Sequence, residues 1–223
     1  IEDEILYKDK GFDEFCKKCF DVGNLYNNHM VLQRQYDFIW CILAKAFLIK
    51  IDRSCKNKFD ILLEFCLNDL KCAMHQELYL LALYFKNDPS IGRVFAKLSK
   101  DYNKGIEYAL ENTTWDLFHS RMTFEHTRFY DTVENIVILP YFATNDKGVY
   151  QYLSKCLFKA VIIDHGKMIP VYRSSIELSS YIMNESLQFQ LYDEEHIMKR
   201  KGDVTQVNIN LIKSKLLQEL KTI

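Results

Sequence analysis

Seven glycines and three prolines are all the backbone punctuation in 223 residues. These residues make the tight turns on which a chain of many short strands depends. A chain this poor in them is pushed toward long elements and against a turn-rich all-β fold. Hydrophobic residues make up 48% and charged residues 26%, so there is enough apolar side chain to build a full core. The length suits one large domain, with or without a terminal appendage.

The charge pattern excludes some classes of function. The formal net charge is -1. No strong overall field draws the chain to nucleic acid or to a membrane, so RNA binding would need a local basic patch. No apolar run is long enough to span a bilayer. No secretory leader is evident, and the expected compartment is the cytoplasm with no membrane partner. The seven cysteines are an odd set without a disulfide framework. Cys16 and Cys19 form a lone CxxC with no second ligand pair, which is too little for a closed zinc site. They read as reduced thiols, with Cys66 and Cys156 among apolar neighbours.

Periodicity then assigns elements. The first 40 residues read as polar and helical, with a stripe of Phe12, Phe15, Cys16 and Cys19, and Asn24 to Met30 as a loop. Ala46 to Ile51 reads as a buried strand ending at Asp52. Phe59, Leu62, Leu63, Cys66, Leu67 and Leu70 follow the 3.6-residue period and predict a helix over 57–70. Cys72 and Ala73 suit a short strand or a turn. A helix starts at His75, with Leu78, Leu81, Ala82 and Phe85 on its inner face. Asp88 caps a further helix, with Pro89 at its first position and Ile91, Val94, Phe95 and Leu98 inside. Asn112-Thr113-Thr114 offers an N-cap to a helix beginning at Trp115. Strands follow over Ile136 to Leu139, Tyr141 to Ala143 and Ala160 to Ile163. A helix over 148–158 separates the last two. A helix near Ser175 to Asn184 and a charged helical tail complete the chain. Helices alternating with short apolar strands predict an α/β fold with a mainly parallel sheet, whose ligands bind at the strands' carboxyl ends.

That rule singles out acids. Asp52 and Asp146 each follow a predicted strand, Glu77 opens one helix, and Asp116 falls in the first turn of another. Clustered carboxylates repel one another unless a cation joins them, and two hard cations can clamp the attacking and leaving oxygens of a phosphodiester. Each acid also has an ordinary reading: Asp146 as a helix cap, Asp116 as a first-turn acid facing the helix dipole, Glu77 as a solvated helix residue and Asp52 as a strand-end residue.

The order of these pieces, IKIDRSC, HQELYLLAL, TTWDLFHSRM and FATNDKG, resembles the PIN and PIN-like nucleases from Ala44 to Asp164. The resemblance implies a PIN-like three-layer nuclease domain over 44–164, with a helical extension over 1–43 and another extension over 165–223. It implies hydrolysis of RNA with Mg²⁺ or Mn²⁺ held by Asp52, Glu77, Asp116 and Asp146. Arg53, Ser54, His119, Thr144, Asn145 and Lys147 would then contact the substrate or support the site. It also implies a toxin or phage-defence setting, an inhibitory or activating protein partner, and a homodimer. His119 lies one turn beyond Asp116 and otherwise reads as a packed residue. Trp115 and Phe118 read as core. The basic run His196 to Lys201 reads as a solvated tail.

Two rival readings stand beside this one. Arg121 and His126 form R-x-x-x-x-H, which resembles the motif of the HEPN ribonucleases. Those folds are all-helical and cut RNA without metal, using Arg and His. The other rival is a catalytically silent module that binds RNA or a protein.

Overall fold

The structure is a computed structural model and describes residues 22–99, 101–126, 130–131, 136–137, 145–156, 158–164, 167–172 and 177–223. Two compact units divide the chain, Ile1–Tyr36 and Asp37–Ile223. The elements are helices α1 (Val22–Ile51), α2 (Lys58–Asn68), α3 (His75–Phe85), α4 (Ile106–His126) and α5 (Lys147–Lys155), then α6 (Glu185–Tyr192), α7 (Glu194–Asp203) and α8 (Ile209–Lys221). Strands β1 (Tyr130–Asp131) and β2 (Ile136–Val137) pair antiparallel, as do β3 (Phe158–Asp164) and β4 (Lys167–Tyr172).

This is a helical protein, which corrects the expected α/β fold with a parallel sheet. Among the described residues the strands form two separate antiparallel pairs and no larger sheet. The expected strand at Ala46 to Ile51 and the expected loop at Asn24 to Met30 both lie within α1. The apolar run does not begin at Ala46. It begins at Phe38, and from there to Phe47 every described side chain except Lys45 is buried. A run that long exceeds a typical strand, and a helix that is apolar on all sides is a central one.

The helix read over 57–70 is α2, with Leu62, Leu63, Cys66 and Leu67 buried. The helix read from His75 is α3, which packs on α2. Cys72 and Ala73 are irregular. Asp88 accepts from the Ser90 backbone N–H at 2.8 Å with Pro89 in the first position, as expected, but it caps only a short 3₁₀ turn, Pro89–Ile91. The expected helix over 175–184 is, in its described part, mainly a 3₁₀ turn at Leu178–Tyr181. The strand read over 160–163 is the middle of β3. The stripe at Phe12 to Cys19 and the strand at Tyr141 to Ala143 lie outside the described residues.

The C-terminal third docks by polar clamps. Asp60 in α2 is buried and accepts from the Met183 backbone N–H at 3.1 Å. The Tyr79 hydroxyl in α3 donates to Glu177 at 2.6 Å. Lys213 in α8 donates to Asp37 at 2.9 Å and stands 5.1 Å over the Trp40 ring. Burial pushes the Cys41 thiol up to about 12 and raises that of Cys66 as well, which keeps both protonated. Among the described residues no helix is long and apolar enough to cross a membrane.

Two lysines finish helices. Lys58 donates to the carbonyls of Ile49, Lys50 and Asp52 at 2.9, 2.7 and 2.7 Å, closing α1. Lys50 donates to the Tyr84 carbonyl at 2.7 Å and to Asn87 Oδ1 at 2.5 Å, closing α3. Lys58→Met keeps the aliphatic stem and removes the donors. It is expected to cost about 1.5–3 kcal/mol, read as a lower urea midpoint at unchanged slope.

Candidate functional site

The deepest charge in the described core is Glu77, 1% exposed, in the first turn of α3. A carboxylate there faces the positive end of the helix dipole. Its main partner comes from α4: Arg121 Nη1 donates to Glu77 Oε2 at 3.0 Å and to Oε1 at 3.2 Å. A buried carboxylate needs such a partner, because leaving it alone costs several kcal/mol.

Around this pair is a polar shell. Tyr152 in α5 donates its hydroxyl to Gln76 Oε1 at 3.2 Å. Burial, with Cys156 and the Glu77 carboxylate nearby, pushes Tyr152 well above the ordinary phenol range. Burial and Glu77 likewise push the Cys156 thiol up. Both groups therefore stay protonated and act as donors, not nucleophiles. His75, at the start of α3, is lowered by burial and by the Arg200 and Arg121 cations, so its imidazole stays neutral. α3, α4 and α5 thus share one satisfied polar network.

Tyr152 also forms part of the wall of a cavity of about 40 Å³, lined with Arg93, Lys97, Asp116, Asp146 and Gly148. That volume holds a few waters. Asp146 is the N-cap of α5, accepting from the Gly148 and Val149 backbone N–H groups at 2.6 and 3.1 Å. Gly148 permits a close approach here, since a Cβ would stand 3.0 Å from the Arg93 carbonyl oxygen.

Asp116 reaches the same cavity from the middle of α4. The helix begins after Gly105, whose φ is +83°, and not at Asn112 to Thr114. Thr113 and Thr114 are buried inside the helix, and Thr114 donates its hydroxyl back to the Leu110 carbonyl at 2.7 Å. A threonine satisfied in this way sits in a helix interior without capping it. Asp116 therefore does not lie in a first turn. Burial pushes its carboxyl up; Lys97 pulls it back, Asp146 adds to the rise and His119 opposes it.

Of the four acids read from the sequence, Asp116 and Asp146 share this cavity. Glu77 lies beyond Tyr152 and is engaged by Arg121. Asp52 follows the end of α1 and is exposed, and it accepts from the Ser54 backbone N–H and hydroxyl at 2.8 and 2.7 Å and from the Cys55 thiol. Those bonds hold it down to about 2. Among the described residues no group of three or more His, Cys, Asp or Glu converges as metal ligands.

Arg53, Ser54, Asn145 and Lys147 are exposed, and Thr144 lies outside the described residues. His119 is exposed against the Trp115 ring at 5.2 Å. Phe118 is core, as expected, but Trp115 is 47% exposed. In the basic run, Arg200 turns inward to the Gln190 and Leu191 carbonyls.

Sequence reading missed Tyr152, Gln76, Arg93 and Lys97. The spacing of Val149, Tyr152 and Cys156 along one face of α5 was a usable signal for the first. Arg93 and Lys97 lie in turns after Pro89–Ile91, on the polar side of the period that Ile91, Val94, Phe95 and Leu98 keep, where nothing local marks them as facing acids. The chain matches no known family model, no curated protein and no solved structure.

Glu77→Gln leaves Arg121 facing a neutral amide. It is expected to cost about 3 kcal/mol in urea unfolding, with Glu77→Leu/Arg121→Met costing less than the sum of the single changes. Asp116 gives a pH signature. A raised native pKa favours the fold in acid, and that contribution is lost as pH climbs through the native value. Asp116→Asn is expected to be more stable than the parent at neutral pH. The difference should close as pH falls below the ordinary Asp value of about 3.9, as followed by thermal unfolding across pH.

Proposed function

We propose that this chain cleaves RNA without a metal, using Arg121 and His126 of α4 in the manner of the HEPN-like ribonucleases that R-x-x-x-x-H resembles. The observation that carries this reading is the fixed guanidinium of Arg121, held by a carboxylate that is 1% exposed, on a helix that runs on to His126. The helical fold supports the same reading, since the folds that carry this motif are all-helical.

The chemistry needs few parts. The ribose 2′-hydroxyl attacks the adjacent phosphorus, forming the P–O2′ bond as the P–O5′ bond breaks. An imidazole takes the 2′ proton, the leaving 5′ oxygen takes a proton from water, and the imidazolium returns its proton to the hydroxide left behind, which gives a 2′,3′-cyclic phosphate and a 5′-hydroxyl. An oriented guanidinium offsets the charge that grows on the phosphoryl oxygens. Five residues turn a straight helix through about 140°. One phosphodiester therefore meets both side chains by lying across α4 or between two copies of the chain.

Metal-dependent hydrolysis at Asp116 and Asp146 is the competing reading, favoured by their shared cavity. Cleavage of a mixed RNA pool separates the two. Cutting is expected to persist in EDTA and to fall about 10²–10⁴-fold in His126→Ala. Cutting that requires Mn²⁺ or Mg²⁺ and is lost in Asp146→Asn replaces this reading with the metal-dependent one. Absence of cutting in every condition leaves a binding module.

A further inference from the structure

α2 does not simply stop at Asn68. The chain doubles back on the last turn, where the Leu70 N–H donates to the Phe65 carbonyl at 3.1 Å and the Cys72 N–H to the Cys66 carbonyl at 3.0 Å. Lys71, between Leu70 and Cys72, takes a left-handed φ of +52°, which a residue other than glycine seldom adopts. The turn lays Cys72 beside Cys66. Covalent bond lengths and the Cys72–Cys66 hydrogen bond together hold the two Cα atoms within about 7 Å, the limit beyond which a disulfide cannot close without moving the backbone. Burial raises the Cys66 thiol and the nearness of Cys72 raises it further, so the side chains as well as the backbones are neighbours.

The two thiols are unequal. Cys66 is 0% exposed, and an oxidant in solution does not meet it directly. Cys72 is partly exposed. It also lies within electrostatic reach of the Arg200 guanidinium, which burial lowers and Cys72 raises. A thiol near a cation gives up its proton more readily, and the thiolate is the form that reacts. Cys41, the other thiol acting on Cys66, is itself 0% exposed within α1.

We propose that Cys66 and Cys72 form a reversible disulfide when the chain meets a peroxide, with Cys72 as the attacking thiol and Cys66 as the resolving one. The Cys72 thiolate attacks one peroxide oxygen. An S–O bond forms, the O–O bond breaks, and the departing hydroxide takes a proton from solvent, which gives a sulfenic acid and water. The Cys66 sulfur then attacks the Cys72 sulfur. The S–S bond forms as the S–O bond breaks, and the departing hydroxide carries off the Cys66 proton as a second water. The thiols lose two electrons in all, and hydrogen peroxide gains them. The bridge ties the end of α2 to the segment that leads into His75 at the start of α3. It is independent of RNA cleavage.

Trypsin makes the bridge visible, because it cuts after Lys71 and places the two cysteines in separate peptides, 59–71 and 72–86. The native full chain is treated with hydrogen peroxide, its remaining thiols are alkylated, and the digest is read by mass spectrometry without reduction. The expected product is 59–71 joined to 72–86, absent from Cys72→Ala and lost on treatment with dithiothreitol. Dimedone, which captures sulfenic acids, is expected to label Cys72 in Cys66→Ala and to leave Cys66 unlabelled in Cys72→Ala. Circular dichroism checks that both variants fold; if Cys66→Ala does not, the joined peptide from the parent still decides. Three outcomes overturn the proposal: both peptides recovered alkylated, Cys72 carried to the sulfinic acid with no joined peptide, or 59–71 joined instead to 35–45, which holds Cys41. Dimedone on Cys66 in Cys72→Ala overturns the assignment of the attacking thiol.

Discussion

The Glu77–Arg121 pair is the constraint around which the second unit's polar interior is arranged. A carboxylate this deep sets the position of whatever neutralises it. Arg121 comes from α4, so α4 must keep its rotation about α3. Fixing that rotation turns Thr113, Thr114, Leu117 and Phe118 inward and leaves Trp115 and His119 in water. Tyr152 extends the same network to α5, and through α5 to the cavity that Asp116 and Asp146 share. One ion pair therefore governs both the face α4 shows to solvent and the placement of the two acids.

Of the four carboxylates picked from the sequence, Asp52 closes a turn and Glu77 pairs with a guanidinium, while Asp146, the cap of α5, lines one small cavity together with Asp116. α4 carries Arg121, paired with Glu77, on one face and the exposed Trp115 and His119 on another.

Parts of this were legible in the sequence, and the reasons are local. α2 announced itself because its apolar residues keep the helical period between polar turns. The caps at Asp88 and Asp146 were readable because an aspartate that bonds backbone two or three residues ahead needs no tertiary partner. α1 was misread because a helix buried on all sides has no polar face, and its last six residues alone look like a strand. Thr113 and Thr114 were misread because a hydroxyl that satisfies itself within the helix looks, in sequence, like one that starts it. The misread α1, together with the short apolar runs over 136–139, 141–143 and 160–163, was enough to predict a parallel sheet. The Glu77–Arg121 pair was invisible because its partners lie 44 positions apart and neither has a local signature. The sequence did supply the R-x-x-x-x-H spacing, but it could not say that the arginine is braced.

The scarcity of glycine has its own structural answer. Many helices end on a glycine that satisfies the last carbonyls by turning left-handed. Here left-handed Lys71 and Asn87 take that place after α2 and α3, and cations from elsewhere reach further end carbonyls: Lys58 of α2 those of α1, Lys50 of α1 that of Tyr84 in α3, and Arg200 of α7 those of α6. A helix finished by its own glycine can fray alone. A helix finished by a neighbour's amine frays at a higher cost, since unwinding its last turn also strips that amine of its acceptors. Fraying at the carboxyl end of α1 is thereby coupled to α2 and α3, which Lys58 and Lys50 join to it.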